Sequence, residues 1–121
     1  MHTAAEIETL VAAELAQIAQ PDLIACIQEL RVTPRCEEWP WDYGEEDQRY
    51  PCWIIAEHQP SNTAIAYCAH GFGPGDPWGL LFITGPDSSM GMDSAWFAYL
   101  EDCVRASPAW YGENPPDYLV R

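Results

Sequence analysis

The spacing of apolar residues changes at Arg31, and this change constrains the fold more than any other feature of the chain. Before Arg31, apolar side chains recur every three or four positions, which is the period of an amphipathic helix. This spacing predicts a first helix over residues 4–19 and a second helix that begins at Pro21 and ends before Pro34. The two helices are expected to form a bent pair that is joined near Gln20.

After Arg31 the pattern is typical of β-strands. Residues 31–37 are expected to form a short edge strand, because Pro34 cannot donate a ladder hydrogen bond. Three later runs are rich in β-branched and aromatic residues, which predicts three further strands. These runs cover residues 52–57, 63–68 and 78–84. The short turn between the first two runs favours an antiparallel hairpin.

The C-terminal part of the chain is predicted to contain one helix followed by an extended tail. Asp93 is a suitable N-cap for a helix over residues 94–106, which ends before Pro108. The apolar stripe that is expected to pack this helix on the sheet consists of Trp96, Phe97, Leu100 and Val104. The residues expected to anchor the tail are Trp110, Tyr111 and Tyr118.

These elements predict a single α+β domain that spans residues 1–121. The domain is expected to have an N-terminal helical pair, a central antiparallel sheet of three to five strands, and a C-terminal helix packed on one face. A chain of 121 residues with 48% hydrophobic residues is long enough to bury a substantial core.

The chain is strongly acidic, with 19 Asp and Glu against five Arg and no Lys, for a formal net charge of −14. Such a charge repels phosphates, so direct binding to nucleic acid is not expected. It also disfavours anionic membranes, and no run approaches the roughly 18 apolar residues of a membrane span. Glu6 and Glu8 stand where a signal peptide carries positive charge, which predicts a cytoplasmic protein. The five cysteines are then expected to be free and mostly buried thiols.

Residues 36–47 combine acidic and large aromatic side chains at high density, with six carboxylates and three aromatic rings. Trp and Tyr are enriched at the energetic centres of interfaces, and carboxylates are bidentate partners for Arg. The segment is therefore interpreted as a binding surface for a basic partner protein. Its predicted contact residues are Trp39, Trp41, Asp42, Tyr43, Glu45 and Glu46. In the alternative interpretation, the rings plug the edge of the sheet and the acids only remain solvated.

Two other functions remain open. Cys68 and His70 would share a face if their strand continued, so a small thiol- or metal-dependent enzyme could use them, with His58 in support. However, the chain lacks the close cysteine pairs of structural zinc sites and the ligand order of an EF-hand. No catalytic residue, metal or cofactor is therefore assigned. The other alternative is a dimerising accessory subunit whose contact surface lies near the C-terminal aromatic residues.

The leading hypothesis is a non-catalytic acidic protein that neutralises or masks a basic partner. In size, acidity and single-domain organisation the chain resembles bacterial immunity proteins, which block a cognate toxin such as a nuclease. The order of its predicted elements is also loosely similar to that of the SUKH immunity superfamily. This resemblance is one of profile rather than of motif, and it implies an inhibitory binding role without catalysis.

Overall fold

The computed structural model describes residues 3–40, 49–69, 75–83, 95–116 and 118. The helices are α1 (Ala4–Leu15), α2 (Pro21–Leu30) and α3 (Leu100–Ala106). The strands are β1 (Arg31–Pro40), β2 (Arg49–His58), β3 (Thr63–Tyr67), β4 (Trp78–Phe82) and β5 (Ala95–Phe97). The predicted α+β class is confirmed, with the helical pair at the N-terminal end, one antiparallel sheet, and the last helix packed on that sheet.

The N-terminal helical pair forms as predicted. Thr3 and Glu6 build a capping box at the start of α1, where Thr3 Oγ1 accepts a hydrogen bond from the Glu6 amide at 3.2 Å. In return, Glu6 Oε1 accepts one from the Thr3 amide at 3.0 Å. α1 ends at Leu15, earlier than the predicted residue 19. The turn that follows still buries Ile18, which explains why the apolar pattern continues beyond the helix.

The five strands form one antiparallel sheet in the order β1-β2-β3-β4-β5, so each strand pairs with its neighbours in sequence. In β2 the register shifts between Ile54 and Ala56. The bulge turns two consecutive side chains, Ile55 and Ala56, toward the helices. The turn from β2 to β3 contains a short 3₁₀ segment, Gln59–Ser61, and ends at Asn62 with a φ of 57°, a conformation that asparagine tolerates.

Apolar side chains pack on both faces of the sheet. The three helices cover one face, where Leu23 and Ile27 of α2 and Val104 of α3 meet Ile55 and Ile65 of the sheet. The other face carries a second buried cluster, contributed by the middle strands and their ends. Its members are Cys52, Ile54, Ala64, Ala66, Cys68 and Leu81. Burial on both faces explains why the middle strands have nearly continuous apolar sequences rather than alternating ones.

The predicted helix over residues 94–106 is wrong in its first part. Two residues of its expected stripe, Trp96 and Phe97, belong to β5, and α3 begins only at Leu100. One continuous helix and a short strand followed by a helix can bury the same apolar side chains. The spacing of these residues therefore does not distinguish the two arrangements. Asp93, the predicted cap, lies outside the described residues.

A close contact between β4 and β5 accounts for this correction. Trp96 lies opposite Gly79 in the ladder, and a Cβ atom added at Gly79 would meet carbon atoms of the indole ring at 2.7 Å. The absent side chain therefore leaves room for the ring against the backbone of β4. This long-range packing, together with the strand pairing, outweighs the local helical pattern of residues 94–99.

The C-terminal tail is held against α3 by a buried polar contact. The Tyr118 hydroxyl donates a hydrogen bond to Asp102 Oδ1 at 2.5 Å, and Asp102 itself is completely buried. The guanidinium of Arg105 lies 5.0 Å from the centroid of the Tyr118 ring, which adds a cation–π contact. The prediction that Tyr118 anchors the tail is therefore confirmed.

The other two predicted anchors behave differently from each other. Trp110 Nε1 donates to Asn114 Oδ1 at 3.1 Å, and the same oxygen accepts from Arg105 Nη1 at 2.8 Å. Trp110 is thus tied into the tail as expected. Tyr111 is 86% exposed, so the prediction that it anchors the tail is wrong.

Replacing Tyr118 with phenylalanine is expected to lower the free energy of unfolding by about 1–3 kcal/mol near pH 7, because the buried Asp102 carboxylate loses a hydrogen-bond donor. Burial and the contact with Asp102 raise the pKa of Tyr118. This stabilisation is therefore complete below about pH 10, the ordinary pKa of tyrosine, and is lost as the pH rises above that value. Denaturant unfolding should show a smaller difference between wild type and variant at about pH 11 than near pH 7. A constant difference would contradict the assignment.

Candidate functional site

The predicted binding segment lies at the end of the β1–β2 hairpin. Trp39 pairs with Tyr50 and Pro40 pairs with Arg49, so residues 41–48 connect the two strands. Of the predicted contact residues, Trp39 belongs to β1. The others, which lie in the connection and outside the described residues, are Trp41, Asp42, Tyr43, Glu45 and Glu46.

The hairpin extends past the third strand. β3 pairs with β2 from Trp53 to His58, so residues 37–40 and 49–52 pair with each other as a two-stranded ribbon within the described sheet. β1 therefore continues beyond the predicted residue 37, and β2 begins before the predicted residue 52. The cross-strand pairing imposes strand geometry on residues whose proline and charge content is typical of a loop. The ribbon thereby carries both ends of the acidic connection beyond β3.

Arg35, Glu37 and Glu57 form a charged cluster on the face of the hairpin that points away from the helices. The Arg35 guanidinium donates to Glu57 Oε1 at 2.5 Å and to Glu37 Oε2 at 2.6 Å. The hydrogen bonds to Glu57 and Glu37 raise the pKa of Arg35. Two carboxylates thus meet one cation among these three residues. Exposed Glu38 adds a further carboxylate on the same strand.

Three arginines, Arg31, Arg35 and Arg105, are engaged by carboxylates. Besides the Arg35 cluster, Arg31 contacts Glu8 at 2.6 Å and Arg105 contacts Glu101 at 3.0 Å. The positive charges of these residues are therefore balanced within the molecule. Exposed carboxylates include Asp22, Glu29, Glu38 and Glu113. The surface of the described part is acidic, as the net charge of −14 requires.

The alternative site at Cys68 is built as a buried thiol pair. Cys52 lies on β2 and Cys68 directly follows β3. Both are completely buried, and their thiols are hydrogen-bonded. The hydrogen bond with Cys68 and the burial raise the pKa of Cys52, which disfavours the thiolate that nucleophilic chemistry needs. His58 pairs with Thr63 at the other end of the ladder, roughly 16 Å from Cys68 along the strand. His70 lies outside the described residues.

Alkylation should distinguish the thiols. Cys36 is exposed on β1, Cys26 is half-buried, and the other three cysteines are buried. Iodoacetamide is expected to modify Cys36 first, although more slowly than free cysteine, because partial burial and neighbouring Glu38 raise its pKa. Intact-mass spectrometry should show one fast adduct in the folded protein and all five only in denaturant. Fast modification of Cys52 in the folded protein would contradict this packing.

Sequence reasoning missed a polar cluster in the turn from β2 to β3. His58 Nδ1 lies 2.6 Å from Ser61 Oγ, which lies 2.7 Å from Thr63 Oγ1. Ser61 and Thr63 also line a cleft of about 190 Å³ whose other walls are apolar. The amide of Asn62 already donates to the Gln59 carbonyl at 3.0 Å, so it cannot stabilise an oxyanion beside Ser61. The three side chains meet one another's hydrogen-bonding needs and thereby stabilise the turn. The three-residue spacing of His58 and Ser61 across a predicted turn is the feature of the sequence that could have indicated this cluster.

Within the described ranges, no group of three or more His, Cys, Asp or Glu side chains is placed to hold a metal ion. No helix in the same part of the chain has both the length and the apolar character needed to cross a membrane. No protein-family model, curated protein or solved structure matches this chain.

Proposed function

We propose that this chain is a non-catalytic acidic binding domain that neutralises or masks a basic partner protein, as immunity proteins and protein inhibitors do. The observation that carries the proposal is the β1–β2 hairpin. Its strands are paired as far as Pro40 and Arg49, and the residues that join them are acidic and aromatic. The pairing of Pro40 with Arg49 sets the two residues that flank the acidic segment side by side.

The proposed contact residues combine aromatic rings with carboxylates. The rings supply contact area from which water is excluded, and the carboxylates pair with Arg or Lys of the partner. These residues are Trp39, Trp41, Asp42, Tyr43, Glu45 and Glu46. This division of roles predicts that the rings supply most of the affinity and the acids most of the specificity.

The charge of the domain supports the same partner chemistry. A net charge of −14 attracts a basic protein over long distances, accelerates association at low salt and repels nucleic acid. Because Arg31, Arg35 and Arg105 are held by carboxylates, these cations oppose the approach of a basic surface only weakly. The encounter is expected in the cytoplasm, since the five cysteines are free thiols, as in proteins of reducing compartments.

A salt-gradient pull-down tests the proposal. The immobilised domain is incubated with a lysate of its source organism at low salt, and the proteins eluted by rising salt are identified by mass spectrometry. We expect one basic protein in stoichiometric amount, part of which is retained at high salt because salt screens exposed charges more strongly than buried aromatic contacts. Retention of many unrelated basic proteins would contradict the proposal.

A matched pair of variants separates the proposed site from overall charge. Glu45→Gln with Glu46→Gln removes two charges from the site, and Asp22→Asn with Glu29→Gln removes two exposed charges from α2. The first pair is expected to weaken binding by about tenfold or more, because each carboxylate loses a charge-assisted hydrogen bond, and the second by less than about twofold. Equal losses would show that net charge alone drives retention.

A further inference from the structure

β1 is a long, exposed edge of the sheet. It stands at one end of the strand order, and among the described strands it pairs with β2 alone. β1 has 10 residues, whereas β5 at the opposite edge has 3. Its exposed residues are Thr33, Arg35, Cys36 and Glu38. The register shift between Arg31 and Arg35, together with Pro34, interrupts the first part of this edge, so the backbone groups that another strand can pair with are those from Arg35 onward.

An added strand would stabilise the acidic end of this edge more than the rest of it. Residues 37–40 and 49–52 form a two-stranded ribbon in the described sheet. Two strands alone are marginally stable in water, whereas three strands support one another. A strand added outside β1 would therefore stabilise the ribbon that leads into the acidic connection, and would gain backbone hydrogen bonds in doing so.

The charges along β1 select the chemistry of the added strand. Arg35 is bonded to Glu37 and Glu57, and exposed Glu38 points to the opposite face of the strand, so carboxylates outnumber the cation among these residues. A second copy of the chain also carries a charge of −14, and an antiparallel pair centred near Glu38 would set like charges against each other. A strand that bears Lys or Arg would meet opposite charges instead.

We propose that the basic partner contributes an extended segment rich in Lys and Arg, which adds to the outer edge of β1 alongside residues 35–38. Backbone hydrogen bonds supply affinity in this mode of recognition, and alternating side chains supply specificity. Basic residues on one face of the segment approach Glu37, and those on the other approach Glu38, because successive strand residues point to opposite faces. This inference rests on the proposed function, since it takes a basic partner as given and names how it is bound.

Amide hydrogen exchange with a defined peptide tests strand addition. The probe is a decapeptide in which pairs of Lys alternate with pairs of Val, so that both faces of the extended peptide carry Lys. The control is the same peptide N-methylated at its two central residues, which removes a donor from each edge without changing its charge. The decapeptide is expected to slow exchange by about tenfold or more at those amides of residues 35–38 that do not already face β2. The N-methylated peptide should leave these amides unchanged.

Charge reversal on the edge gives a second readout. Glu38→Lys is expected to weaken binding of the decapeptide by about tenfold or more, because it places a cation on the edge that the basic strand approaches. Glu29→Lys makes the same change on the exposed surface of α2 and is expected to alter the affinity by less than about twofold. Both residues are exposed, so neither substitution disturbs the core.

The outcomes separate this inference from the proposed function. Failure of the decapeptide to bind at millimolar concentration would overturn strand addition, as would binding without slower exchange in β1 or equal slowing by the N-methylated peptide. None of these results would show that a basic partner is absent, because the pull-down tests that question separately. A dimer in gel filtration whose β1 amides are protected without peptide would also overturn the inference, because a second copy would then occupy the edge.

Discussion

Replacing Trp41 with alanine is expected to weaken binding of the basic partner by about 30-fold or more. Tryptophan is enriched among the few interface residues whose truncation costs about 2 kcal/mol or more, and each 1.4 kcal/mol is a factor of about ten in affinity. Trp41 stands in the acidic connection, directly after the last paired residue of β1. Titration of the variant with the partner from the pull-down measures the loss, and thermal unfolding of the same variant reports whether the fold is intact.

Tyr111→Ala is the matched control for this prediction. Tyr111 is an aromatic residue that is 86% exposed on the C-terminal tail, so its removal is expected to change the affinity by less than about twofold. The loss at Trp41 should be similar at low and high salt because it is apolar, whereas the effect of neutralising Glu45 and Glu46 should shrink with salt. A folded Trp41→Ala variant with unchanged affinity would remove Trp41 from the site.

Replacing Ile55 with alanine is expected to lower the free energy of unfolding by about 2–5 kcal/mol, because the substitution leaves a cavity between the sheet and the helices. Ile55 is completely buried and lies at the bulge of β2, beside Ala56, which faces the same core. Rearrangement to fill the cavity is hindered there, since strands pair with β2 on both sides. Denaturant unfolding measures the loss, and an unchanged dependence on denaturant concentration shows that the denatured state is the same.

Ile55→Val is the matched control, because it keeps the branched side chain and removes one methylene. It is expected to cost about 0.5–1.5 kcal/mol. If alanine and valine at this position cost the same amount, Ile55 would not pack as the structure describes. Binding of the partner by folded Ile55→Ala should be unchanged, because the residue faces the helices rather than the exposed edge of the hairpin.

The sequence correctly predicted the elements that are determined by residues close to one another in the chain. The proline at the start of α2 and the apolar runs of β2, β3 and β4 depend on neighbours in sequence, and the structure bears them out. β5 was not predicted, because its formation depends on the contact of Trp96 with Gly79, which is remote in sequence. Neighbouring residues alone made a helix equally reasonable there.

The same contrast between local sequence and long-range pairing applies to the candidate site. The acids and aromatic rings of residues 36–47 are visible in the sequence, but the ribbon that leads to them depends on the pairing of residues 37–40 with residues 49–52. Pairing between strands depends on register, which local propensity does not specify. The contact of Cys52 with Cys68 follows from register in the same way, whereas His70, the predicted partner of Cys68, lies outside the described residues.

The sequence by itself determined the net charge of −14, the change from helical to strand period at Arg31 and the composition of the acidic segment. These are properties of single residues and their near neighbours, so no folding is needed to read them. The tertiary structure alone decided that β1 extends to Pro40, that Arg35 is held by Glu37 and Glu57, and that Cys52 and Cys68 are buried together. Each of these depends on which distant segments pair and which face of the sheet the helices cover, and that choice is made by the packing of the whole domain.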